Sequence, residues 1–99
     1  MSDFVYRPSA VADVGTAYRW YETQRPGLGD EFLDELREAE QRIGRSPDGF
    51  RVIYRGVRRH LLRRFPYQLL YRTVGDTIIV LGCLHVRRAP GVARDRTDG

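Results

Sequence analysis

Lysine is absent from this 99-residue chain, and all 17 basic residues are arginine. A GC-rich genome alone can produce that bias, so where the arginines stand says more than how many there are. Guanidinium groups stay charged at any working pH, so they can bind anions but cannot serve as a general base. Cysteine is nearly absent too: Cys83 stands alone, which excludes an internal disulfide framework and fits a reducing compartment. No apolar run approaches membrane-spanning length, and the opening MSDFVYRPSA interrupts any secretion-signal pattern with Asp3 and Pro8. The expectation is a soluble, cytoplasmic protein with no membrane partner. Carboxylates are missing from one long stretch, since none lies between Asp48 and Asp76.

What is present is enough for a single domain over 1–99, with one modest core and no need of a metal, a cofactor or a disulfide to fold. The charge is divided along the chain. Residues 1–48 hold six arginines against ten acids, and residues 49–99 hold eleven against three. Such a split points to a face that meets something anionic. The stretch RRHLLRRFPYQLLYRT, Arg58 to Thr73, is the sharpest instance, with five arginines and a histidine among leucines and aromatics.

Periodicity gives the order of elements. DFVYR (3–7) alternates as a short strand that Pro8 ends. Ser9 is a suitable N-cap, and Val11, Val14, Tyr18 and Tyr21 recur at helical spacing to about Thr23. RPGLGD is a turn, and a second helix is predicted from about Asp30 with Phe32, Leu33, Leu36, Ala39 and Ile43 as its apolar stripe and Gly44 as its stop. Acids Asp30, Glu31, Asp34 and Glu35 suit its N-terminal dipole. From Phe50 the period becomes that of strands: FRVIY, VRRHLLRR, a Phe65-Pro66 corner, YQLLYRT, a VGD turn and TIIVLGCLH. The last is apolar at nearly every position and belongs inside the sheet. The result is an α+β domain, β-α-α-β-β-β-β with a basic tail over about 86–99, in which a helical hairpin covers one face of a mostly antiparallel sheet. Leu61 or Leu62, with Phe65, Leu69 and Tyr71, would build the covered face, leaving the arginines to the other. Trp20, Tyr18 and Tyr21 are expected in core or helix-pair packing, and Cys83 in inert core.

The strand-helix-helix start, VRRHLLRRFPYQLLYR, the apolar last strand and the ending HVRRAP together resemble the RelE/ParE superfamily of bacterial type II toxin-antitoxin toxins, over roughly Phe4 to Pro90. The resemblance implies a growth-inhibiting toxin silenced by a hetero-oligomeric partner, an antitoxin whose flexible, acidic C-terminal segment wraps it. It also implies a choice of targets. RelE-like members cut ribosome-bound mRNA, which requires deprotonation of a 2′-OH, stabilisation of the phosphate and protonation of the leaving oxygen. ParE-like members poison DNA gyrase by binding alone.

Candidate residues follow from that choice. A nuclease would use His85 as acid or base, with Arg64 and Arg72, assisted by Arg87 and Arg88, on the transition-state charge. Binding to target or antitoxin would draw on Arg58, Arg59, Arg64, Tyr67, Tyr71, Arg72, Arg87 and Arg88, the tyrosines as stacking platforms. His60 could join His85 only if both face the same way. Because Arg58/Arg59 and Arg63/Arg64 are adjacent pairs, strand alternation sends one of each to either face, and some should bridge to acids such as Glu38. With no carboxylate on the central strands and no lysine, the catalytic set is incomplete, so the ParE-like reading is preferred and an enzyme is not expected. The nuclease is the alternative, and a non-toxic nucleic-acid-binding domain is a third.

Overall fold

The computed structural model describes residues 3–88, 91 and 94–96. Strand β1 (Asp3–Tyr6) leads into helices α1 (Pro8–Gln24) and α2 (Leu28–Arg45). A 3-10 turn (Pro47–Gly49) then enters strands β2 (Val52–Tyr54), β3 (Val57–Leu61), β4 (Tyr67–Val74) and β5 (Thr77–His85). The sheet order is β1-β5-β4-β3-β2, with β1 parallel to β5 and the remaining pairs antiparallel. This is the expected α+β arrangement with a mixed sheet, because the helical hairpin carries the chain back to place β1 beside the last strand.

Both helices lie on one face. There Phe32, Leu36, Ala39 and Ile43 of α2 and Ala10 and Ala17 of α1 pack against Leu69, Tyr71, Ile78, Val80 and Cys83, joined by Leu62 and Phe65 from the β3–β4 corner. Tyr21, Phe32, Phe65 and Tyr67 form an aromatic cluster with centroid separations of 4.8–6.0 Å. Trp20 does not join it. At 56 % exposure it stands outside, because helical spacing that turns Tyr21 inward turns its neighbour out.

Helix boundaries differ from the sequence reading for a physical reason. Pro8 takes the first helical position, so Arg7 becomes the N-cap and Ser9 is already in the helix. Its hydroxyl instead donates to the Leu81 carbonyl on β5. Helix α2 begins at Leu28 rather than Asp30 because Glu22, on α1, accepts from the N–H groups of Gly27 and Gly29 at 3.1 and 2.8 Å. A side chain on Gly29 would collide with Glu22 and the Tyr18 ring at 2.7–2.8 Å, so glycine is required where the hairpin closes. Gly44 does not end α2, which continues to Arg45.

The face opposite α1 and α2 is the larger surprise. Instead of a sheet of arginines it carries a second buried apolar cluster, Val57, Leu70, Leu81 and Leu84, with Ile53 and Ile79 at its margin. Leu62 is the core residue and Leu61 stands exposed on this face. Only Arg59 and Arg72 of the β3 and β4 arginines share that parity, opposite Leu70 and Ile79. Strand β5 is therefore covered on both sides, as expected, and Cys83 lies in the core with its thiol pushed up to about 12 by burial.

Candidate functional site

Strand β3 stops at Leu61, short of the predicted VRRHLLRR strand, and the chain turns a tight corner over 62–66. Leu62 and Phe65 point into the core while Arg63 and Arg64 stay exposed. The Val86 N–H donates to the Pro66 carbonyl at 3.0 Å, so the residues after β5 lie beside this corner. Arg63, Arg64, Arg87 and Arg88 are thereby gathered at one end of the sheet, with Tyr67 and His85 between them.

His85 faces Tyr67 across the β4–β5 ladder, the rings meeting edge-on at 5.5 Å. Its Nδ1 accepts the Arg87 N–H at 3.2 Å, and its carbonyl accepts the Arg88 N–H at 2.9 Å. That arrangement leaves Nε2 as the imidazole's free nitrogen. Burial raises the Tyr67 hydroxyl pKa, with Arg88 opposing it, so the phenol stays protonated. Arg64 pairs with Glu31 on α2 and lies over the Phe65 ring at 5.1 Å. Hydrogen bonding from Arg64 and then Arg25 holds the Glu31 carboxyl below its usual value.

The remaining candidates are elsewhere. Arg58 is on the helix side, donating to the carbonyls of Asp48 and Phe50 at 3.1 and 2.7 Å, and so fastens the 3-10 turn to β3. Tyr71 is fully buried, its hydroxyl donating to the Pro47 carbonyl at 2.7 Å and its pKa pushed up to about 12 by burial. It offers no face to a base. Arg59 and Arg72 are half-buried on the opposite face, and the Arg72 Nε is buried without a partner.

His60 does share the helix side with His85, but it lies on β3, opposite Leu69 rather than Tyr67. It is 6 % exposed, set edge-on to Phe50 at 4.5 Å, and its Nε2 accepts from the Arg42 Nε at 3.1 Å. Burial, reinforced by Arg42 and Arg63, pushes its pKa down to about 4, so it is a neutral acceptor rather than a catalyst. The acids that answer the corner are Glu31 and Glu35, not Glu38: the Arg63 N–H donates to Glu35 at 2.6 Å.

One cluster had no sequence signal. Asp13 of α1 binds Arg96 and accepts the Cys83 N–H at 3.0 Å, while Arg96 also donates to the Leu81 carbonyl at 3.0 Å. It satisfies β5 where the register shifts opposite Leu70 and Tyr71 and β1 no longer covers the strand. Residues 83 apart in sequence meet there, which no local spacing could have shown. Of the basic tail, residues 89, 90, 92, 93 and 97–99 lie outside the described residues. Among the described residues no His/Cys/Asp/Glu group could hold a metal ion, and no helix is long and apolar enough to cross a membrane.

A model of the family described as "ParE toxin of type II toxin-antitoxin system, parDE" matches residues 4–90. No curated protein matches the chain. A solved structure, "Chromosomal ParDE TA system from P. aeruginosa", superposes with a TM-score of 0.75 at 21 % identity, covering 86 % of this chain and 96 % of that one. At that identity the likeness speaks for the fold.

Proposed function

The chain belongs to the family of ParE toxins of type II toxin-antitoxin systems, and from that premise we propose that it arrests growth by binding DNA gyrase, without chemistry of its own. The surface offered to the target is the basic end of the sheet, Arg64, Arg87 and Arg88 around Tyr67, in the cytoplasm. One observation carries this reading: the nuclease set is not assembled. His85 sits on the helix side against Tyr67, and Arg72 points to the opposite face. Cleavage by a 2′-OH needs base, phosphate-binding cation and acid around one reacting phosphorus. The geometry supports an anion-binding surface better than that constellation. Membership in the family also favours a toxin over an unrelated nucleic-acid-binding domain. The P. aeruginosa neighbour is a ParDE toxin-antitoxin system, which supports a cognate antitoxin that covers this protein in a hetero-oligomer.

The test is induced expression of the free protein in a permissive host, following DNA breaks and supercoiling together with mapped cuts in translated mRNA. Gyrase-dependent DNA damage with intact messages is the expected outcome, and His85→Ala should leave toxicity largely intact. Codon-phased cuts with undamaged DNA, abolished by His85→Ala, would replace this reading with the nuclease.

A further inference from the structure

Two clefts open between α2 and the β3–β4 corner. One, of about 180 Å³, is lined by Glu31, Asp34, Glu35, Glu38 and Arg64. The other, of about 270 Å³, is lined by Glu38, Gln41, Arg42, Arg45 and Arg63. They share Glu38 and therefore form one groove. Its α2 residues recur every three or four positions, a single stripe running about 20 Å along the helix at ~1.5 Å per residue. The sign of the charge changes along it, acidic over the first half of α2 and basic over the last turns.

Most of the charges deeper in the groove are already used. Arg64 answers Glu31, and Arg42 is turned inward to His60 and lies 3.6 Å from Glu35. Those at its mouth are more open: Asp34 shares an exposed ion pair with Arg37 at 2.7 Å, and the side chains of Glu38, Arg45 and Arg63 form no hydrogen bond or ion pair among the described residues. The helix dipole accounts for acids at the start of α2 and bases at its end. It does not account for Arg63, which comes from another element and adds to the positive end, nor for a cleft between them.

We propose that this groove seats an extended segment of the antitoxin whose own charges are ordered, basic opposite Asp34 and Glu38 and acidic opposite Arg45 and Arg63. The polarity of α2 then fixes the direction in which the segment runs, because the reversed segment would set like charges against each other at both ends. This inference rests on the reading of the chain as an antitoxin-neutralised toxin. It adds a second contact surface, distinct from the basic end of the sheet.

The probe is the full-length product of the open reading frame adjoining this gene, purified and titrated against the full chain and its variants. Arg45→Glu combined with Arg63→Glu should weaken the complex about tenfold or more at about 0.15 M salt, and Asp34→Arg by several-fold, with the losses shrinking at about 1 M salt. Unchanged thermal midpoints certify the fold, since all three side chains are exposed. If wild type binds and the arginine variant stays within twofold of it, the groove is not the seat of the segment. If Asp34→Arg tightens the complex, the segment is purely acidic and its charge order is refuted. If the adjoining product does not bind the wild-type chain, the toxin-antitoxin reading itself falls, a failure distinct from the first two.

Discussion

Arg58 and Arg63 belong to the same sequence run, yet they live in different chemical worlds. Arg58, like Arg42 and Arg96, is an internal brace: its guanidinium is spent on carbonyls that the 3-10 turn would otherwise leave without donors. Arg42 serves His60 and Arg96 serves Asp13 and Leu81 in the same way. Arg63, Arg87 and Arg88 are exposed around the β3–β4 corner and the end of β5. The two groups differ neither in residue type nor in local sequence, only in register and in which element arrives opposite them. A count of arginines therefore overstates the surface available to an anionic partner, and substitutions at the two sets should fail in different ways.

The largest stability loss is expected at the Asp13–Arg96 pair. Asp13→Ala removes the partner of a largely buried guanidinium and the acceptor of the Cys83 N–H, at a cost of about 2–4 kcal/mol, readable as a lower urea midpoint. Next comes acid. His60 has a folded pKa near 4 against an ordinary 6.5, so between those values the unfolded chain binds more protons than the folded one. Stability is then complete above about pH 6.5 and falls as pH drops towards 4, by about 1–3 kcal/mol. His60→Gln keeps an acceptor for Arg42 and should flatten that slope. A slope unchanged in His60→Gln would show that other groups carry the acid sensitivity.

Arg58→Ala should cost about 1–2 kcal/mol through the two orphaned carbonyls, and Tyr71→Phe about 1 kcal/mol through the Pro47 carbonyl, both measurable by chemical denaturation. At the other extreme, Arg87→Ala with Arg88→Ala should move stability by less than ~0.5 kcal/mol while reducing growth inhibition on induced expression. If Arg58→Ala proved silent for stability but abolished toxicity, the division between braces and surface would be wrong.

Strand alternation made part of this legible. The order of elements, the burial of β5 on both faces, the apolar stripe of α2 and the inert place of Cys83 all follow from periods of two and of 3.6 read locally. The site was legible only in outline. The adjacent pairs Arg58/Arg59 and Arg63/Arg64 were bound to separate, but the bend at Leu62 that releases Arg63 and Arg64 from the ladder depends on Leu62 and Phe65 finding the core. Tyr71 looked available for stacking because its partner, the Pro47 carbonyl, lies 24 residues away.

By itself the sequence determined the α+β element order, the charge asymmetry and the resemblance that the family match bears out, because local periodicity and composition are properties of neighbouring residues. Tertiary structure alone decided the rest: that Asp13 and Arg96 complete β5, that the face opposite α1 and α2 is apolar, and which arginines are left over for a partner. Each of those outcomes pairs groups distant in the chain. Buried polar groups must find such partners on folding, and no spacing within a segment records which ones they find.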